Sequence, residues 1–350
     1  MVLRKTAIAL TLLLGWAGTA SAGPALLFDA ATGKVLYAEE QDQPWHPASL
    51  TKIMTAYMVF EALRTNKISL EQKIPVSANA HAQPPSKLGL PVGAEITVSL
   101  ALKALIVKSA NDAAVMLAEA IGGTEEAFIA QMNNTARRVG MTNTRFVNPH
   151  GLPAPEQVTT ARDLARLTRI VVREYPEYGP MWAMSDMQIG RRRLRTHNGL
   201  LRTYEGADGF KTGFICDSGF NVVASATRDD RRLVAVVLGE YTSRDRSLRA
   251  ASLLEHGFKN YGWKEFFSSM TVDSLPISAD TTAVHSIREH VASFACNPRR
   301  NAGASRAKQK RLRARNRAAA KEKSAATKGK SGPTVGTTKS PAAKSAAKTP

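Results

Sequence analysis

A serine hydroxyl attacks a carbonyl efficiently only when a neighbouring base takes its proton. Three short motifs in this chain carry the residue types for that chemistry. In Ser49-Leu50-Thr51-Lys52 a hydroxyl and an amine stand three residues apart. Positions i and i+3 share a face at the start of a helix, so Ser49 Oγ and Lys52 Nζ can meet there. The lysine serves as base only if its pKa falls. Burial among Ile53, Met54 and Met58, and other cations nearby, both push it down. A helix N-terminus also favours a developing oxyanion. The second motif is Ser109-Ala110-Asn111, on the turn before a helix. One reading is a helix cap, since Ser, Asn and the following Asp112 all cap helices. The functional reading places Ser109 in a proton relay and Asn111 on a substrate amide. The third is Lys211-Thr212-Gly213, in a strand-like segment where a glycine lets another backbone lie close. Lys211 can hold a carboxylate and raise the positive potential beside Lys52. The plainer reading is an exposed strand lysine and a turn glycine.

Singly, each motif says little. Ser-x-x-Lys recurs at 305–308 and 345–348, in a stretch with nothing to bury. The order and the predicted context set the first occurrence apart: helix start, inter-helix turn, strand, separated by 60 and 102 residues.

The surrounding pattern supplies those elements. Ala25–Phe28 and Val35–Tyr37 flank a Gly33-containing turn and predict a hairpin. Ser49–Leu63 reads as an apolar, interior helix. Leu100–Leu105 and Asn111–Ile121 follow as helices, then a third capped by Thr124 and running to Arg138, then Thr160–Val172. Strands return at Gly206–Gly213, Asn221–Thr227 and Arg232–Leu238, the last two joined as a hairpin by 228–231. A helix over Thr242–Tyr261 closes the series. Strands at both ends of a helical middle predict an α+β fold with a helical insert.

Blocks around the motifs carry a family resemblance: Trp45-His46-Pro47-Ala48-Ser49-Leu50-Thr51-Lys52-Ile53-Met54-Thr55, Lys108–Ala114, Asn148-Pro149-His150-Gly151-Leu152, His197-Asn198-Gly199-Leu200-Leu201 and Asp208-Gly209-Phe210-Lys211-Thr212-Gly213. Over about 23–265 the chain resembles the low-molecular-weight penicillin-binding proteins, specifically the serine D-alanyl-D-alanine carboxypeptidases (peptidase family S11-like). The resemblance implies a β-lactamase/transpeptidase-like fold, an antiparallel sheet flanked by helices. It implies that Ser49 is acylated by the penultimate D-alanine of a peptidoglycan pentapeptide stem, and by β-lactam antibiotics, with Lys52 as base. Ser109 and Asn111 would assist proton transfer to the leaving group. Lys211 and Thr212 would hold the terminal carboxylate, beside Gly213, and the N–H groups of Ser49 and Phe214 would form the oxyanion hole. No cofactor or metal is implied. A D,D-endopeptidase acting on cross-links would use the same residues. A serine β-lactamase needs a carboxylate-held water, and Glu156-Gln157-Val158-Thr159-Thr160 lacks the Glu-x-x-x-Asn pattern for it. Phe214 departs from relatives that carry a polar residue there. Residues 268–298 are too few for the β-rich C-terminal domain of some relatives.

Composition frames these readings. The formal charge is +19, but residues 299–350 hold 16 Lys and Arg against one acid, Glu322, and the stretch 23–298 is near +2. Four regions follow. Residues 1–22 read as an export signal: Arg4 and Lys5, an apolar run from Ala7 to Trp16, then Ala20-Ser21-Ala22. Residues 23–267 are the expected catalytic domain, 268–298 a short extension with a strand or two, and 299–350 a disordered basic tail. Export places the protein in the periplasm or on the outer side of the cytoplasmic membrane. The tail then suits electrostatic contact with anionic membrane or wall polymers; nucleic acid does not fit an exported chain. Cys216 and Cys296, the two cysteines, are read either as a pair or as two unpaired small residues.

Overall fold

The computed structural model describes residues 23–267, 270–278 and 283–296; the expected export signal and basic tail lie outside them. The chain opens with the hairpin its pattern predicts, β1 (Ala25–Asp29) and β2 (Val35–Glu39). A 3₁₀ turn at Ala48–Thr51 leads into α1 (Lys52–Arg64), which is buried at every position from Lys52 to Phe60. A helix that is apolar all round must be interior, and α1 is the centre of the larger core.

The insert follows. β3 (Lys73–Pro75) and β4 (Glu95–Thr97) form a small ladder around α2 (Ala78–Ala82). α3 (Val98–Lys103) continues into a π-helical turn, Ala104–Lys108, and stops at Ser109 in the left-handed region. α4 (Asn111–Gly122) and α5 (Glu125–Arg138) pack on one another, and α6 (Ala161–Glu174) returns the chain to the sheet. Thr124 and Thr160 each accept a hydrogen bond from the backbone three residues on; the first is the cap the sequence suggests, and the second caps α6 where the sequence pattern places a helical residue. The short α7 (Gly179–Trp182) precedes a second hairpin, β5 (Asp186–Ile189) and β6 (Arg192–Arg195), and α8 (Leu200–Thr203).

β7 (Ala207–Ile215), β8 (Gly219–Arg228) and β9 (Arg231–Glu240) complete an antiparallel five-stranded sheet in the order β2-β1-β9-β8-β7. The sheet is covered on both faces, which is why β9 reads as an unbroken apolar run rather than an alternation. Leu26, Phe28, Val223, Val234 and Val236 face α1 and the insert. Ala25, Leu27, Val222, Ala224, Ala235 and Val237 face α9 (Ser243–Phe267), through Ala250, Leu253, Leu254 and Tyr261.

The C-terminal extension holds fewer strands than expected. Its described parts contribute one bridge, Thr271 with Lys34, and α10 (Arg288–Ala292). Side chains hold it instead. Arg162, in a buried pair with Asp42 at 2.6 Å, donates to the carbonyls of Val272, Leu275 and Pro276. Gln43 donates to the Ala283 carbonyl, and Arg288 pairs with Asp217 on the β7–β8 turn. Such contacts leave no periodicity to read. Both cysteines are disulfide-bonded, which settles the alternative their number left open.

Candidate active site

The 3₁₀ turn before α1 brings Ser49 and Lys52 onto one line, because side chains three apart eclipse in that geometry. Lys52 Nζ lies 3.1 Å from Ser49 Oγ and donates also to Asn111 Oδ1 at 2.8 Å and the His150 carbonyl at 2.5 Å. Lys52 is 1 % exposed. Burial lowers its pKa well below the ordinary lysine value; Lys211 adds to the fall, and Asp112 opposes it.

Two strands of interaction fix the nucleophile's backbone. Asn221 on β8 donates to the carbonyls of His46 and Pro47 and accepts from Gly239 N–H, tying the turn before Ser49 to the sheet. On the other side Gly151, at φ +84°, lies so close that a Cβ there would overlap the Ala48 carbonyl. Gly213 has the same role on β7: a Cβ would sit 2.9 Å from the Pro47 carbonyl oxygen and 3.0 Å from Ser49 N. This is the close backbone approach expected of the third motif's glycine.

Ser109 and Asn111 straddle the entry to α4. Neither side chain caps that helix. Ser109, at φ 60°, instead accepts a hydrogen bond from Lys211 Nζ at 2.8 Å. Lys211 is buried rather than an exposed strand lysine, and burial lowers its pKa to about 7, with Arg246 adding to the effect. Asn111 bridges Lys52 to the Pro84 carbonyl. The aspartate that read as a cap serves elsewhere. Asp112 accepts from the N–H groups of Leu88 and Gly89, at 2.8 and 2.9 Å, and so holds the 84–90 loop in place.

A cleft of about 330 Å³ opens onto these groups. Ser49, Ser109, Asn111, Thr212, Gly213 and Phe214 line it, while Lys52 and Lys211 reach it through their hydroxyl partners. All eight residues singled out in the sequence therefore converge. Phe214 packs on Phe220, ring centroids 4.2 Å apart, and forms an apolar wall.

Sequence reasoning missed Ser86, Ser243 and Arg246, and gave no role to Leu152 and His197 within their blocks; all five also line the cleft. Arg246 is the most consequential. It is 4 % exposed, donates to the His197 carbonyl and Ser243 Oγ, and keeps Nε without a hydrogen-bond partner. Among the described residues no acid pairs with it. Lys211 and Arg246 make one end of the cleft strongly positive; desolvation in the cleft wall lowers the His197 pKa to about 4, with Lys211, Lys108 and Arg246 adding to the fall. The only signal for Arg246 was its place one turn into the closing helix, which carries no chemistry by itself.

The assembly can activate a hydroxyl at one point and receive an anion at another. The family model described as D-alanyl-D-alanine carboxypeptidase matches residues 15–242. D-alanyl-D-alanine carboxypeptidase DacC of Escherichia coli is 39 % identical over 266 residues, covering 74 % of this chain and 64 % of DacC. The chain thus spans a little under two thirds of that relative's length. The crystal structure of the D-alanyl-D-alanine carboxypeptidase DacD from Francisella tularensis superposes with TM-score 0.66 at 31 % identity, over 74 % of this chain and 73 % of that one. Penicillin-binding protein D2 of Listeria monocytogenes, solved in its ampicillin-bound form, superposes at 0.60 with 30 % identity, over 68 % of this chain and 97 % of its own. The fold is therefore that of the penicillin-binding proteins, and the chain belongs to the D-alanyl-D-alanine carboxypeptidase family.

Proposed function

We propose that this chain is a serine D-alanyl-D-alanine carboxypeptidase that removes the terminal D-alanine from peptidoglycan pentapeptide stems. The observation that carries the reading is the desolvated Lys52 amine against Ser49 Oγ, facing a cleft whose far end holds Lys211 and Arg246. Lys52, neutral because it is buried beside another cation, accepts the Ser49 proton as Oγ attacks the carbonyl between the two terminal D-alanines. The N–H groups of Ser49 and Phe214 receive the oxyanion, at the point where β7 runs against the 3₁₀ turn. Ser109, bonded to Lys211, relays to the departing amine the proton that Lys52 took from Ser49, which returns Lys52 to its neutral form, with Asn111 holding Lys52 in line. Lys211, Thr212 and Arg246 bind the terminal carboxylate. Water then cleaves the Ser49 ester. A β-lactam enters as a strained mimic of the dipeptide and stops at the acyl stage.

In this reading residues 1–22 direct export to the periplasm or the outer face of the cytoplasmic membrane. The basic tail, 299–350, attaches the enzyme electrostatically to anionic membrane or wall polymers.

Mass spectrometry of the purified protein with a pentapeptide stem tests the activity. The expected product has lost one alanine, and benzylpenicillin adds its mass to Ser49. Ser49→Ala abolishes both. Release of alanine at an undiminished rate by Ser49→Ala, or neither alanine loss nor adduct in the unsubstituted chain, overturns the assignment.

A further inference from the structure

The β5–β6 hairpin carries cations that the reaction above does not use. Arg191 at its turn and Arg192, Arg193 and Arg195 on β6 are all exposed. One acid faces them: Asp186 pairs with Arg193 at 2.7 Å and stands opposite Arg195 in register. Among the described residues Arg191, Arg192 and Arg195 make no salt bridge. The hairpin therefore presents uncompensated positive charge, on a part of the chain whose overall charge is nearly balanced.

Its placement ties that charge to the cleft. Met187 and Leu194, paired in register, turn inward, and the hairpin packs on the π-helical turn that ends at Ser109. Arg192 donates to the Leu88 carbonyl at 3.0 Å, bracing the loop whose Pro85 and Ser86 line the cleft. His197, on the cleft wall, follows Arg195 by two residues, so their Cα atoms lie within about 7 Å. Arg193 and Arg195 project from the opposite face of the strand to Leu194, into solvent. Lys108, half-exposed and immediately before Ser109, extends the same positive surface toward the mouth.

We propose that this hairpin is an anion-reading rim of the cleft, which selects acidic peptides by binding carboxylates that lie outside the scissile dipeptide. The inference rests on the carboxypeptidase reading and names the substrate class within it. A peptide is favoured over a lipid surface because the hairpin is continuous with two walls of the cleft, through Leu88 and His197.

The test compares two labelled peptides ending in D-alanyl-D-alanine, one with its other carboxylates free and one with them amidated. Each is titrated by fluorescence anisotropy against the full chain carrying Ser49→Ala, with and without R191Q/R195Q. These two positions leave the Arg193–Asp186 pair and the Arg192–Leu88 contact intact, and circular dichroism checks the fold. The basic tail is common to every titration. The ratio of the two affinities should favour the acidic peptide and fall roughly three- to tenfold in the variant, the range for two exposed ion pairs. With the hairpin intact the preference should also shrink as salt rises, a readout that needs no arginine variant. An unchanged ratio overturns the proposal. So does loss of binding to vesicles of anionic phospholipid in the variant without loss of the acidic-peptide preference. Alanine release by the unsubstituted chain is measured separately: its absence would sink the carboxypeptidase reading and leave the binding comparison to stand or fall alone.

Discussion

Two buried lysines with opposite requirements set how this site should respond to pH. Lys52 works as a base only when neutral, while Lys211 holds a carboxylate only when charged. Burial depresses both, and the proposed chemistry needs Lys52 to release its proton while Lys211 still keeps its own. As pH rises from the acid side, kcat/KM should climb while Lys52 deprotonates. Above about 7 Lys211 loses its charge in the free enzyme, and kcat/KM should fall again, chiefly through KM for a substrate with a free carboxylate. Stopped-flow or steady-state rates across the neutral range give the profile. A flat curve, or one that falls steadily from the acid side, would contradict this division of labour. Ser49 and Lys52 were legible in the sequence because one turn of helix fixes their relation. Arg246 was not, since its partners His197 and Ser243 and its neighbour Lys211 meet it only through the tertiary fold.

At the level of elements, single polar residues pin the loops that wall the cleft. Asp112 is the clearest case. Its carboxylate accepts from Leu88 and Gly89, while its neighbour Asn111 takes the Ser86 carbonyl through its backbone N–H. Hydrogen bonds to a charged group contribute about 1.5–3 kcal/mol each, with strong sharing between them. Asp112→Ala should therefore lower stability by about 2–4 kcal/mol, a fall in melting temperature of roughly 4–16 °C for a domain of this size. Ser49 acylation by penicillin should slow with it, since the 84–90 loop releases Asn111 and hence Lys52. A variant that melts lower but acylates at the original rate would separate the loop from the site. The same elements show what a sequence can and cannot convey. β1, β2, β8 and β9 were evident because burial on the sheet selects apolar residues there. The β5–β6 hairpin was not: Asp-Met-Gln-Ile and Arg-Arg-Leu-Arg are poor in the β-branched and aromatic residues that mark strands. Asp112 read as a cap, because the residue type that caps a helix is also the one that clamps a loop.

Across the whole molecule, charge is concentrated at one end of the sequence. The stretch 23–298 is near +2, while 299–350 carries 16 basic residues against one acid. Every group in the proposed chemistry lies between Ser49 and Arg246, so catalysis and attachment should be separable. A surface-proximal Lys or Arg contributes about 1 kcal/mol to binding an anionic membrane. If only a few of the sixteen engage at once, the gain is already about a hundredfold or more. The full chain should therefore co-sediment with anionic vesicles or purified wall at low salt and be released as salt screens the contact. A chain without 299–350 should lose at least about a hundredfold in that partition. Its release of alanine from a soluble pentapeptide should stay within about twofold, because no cleft residue has been removed. Equal binding with and without the tail would assign attachment to another surface. A large fall in alanine release would mean that the tail reaches the cleft, and that the two functions are not divided along the chain as its charge is.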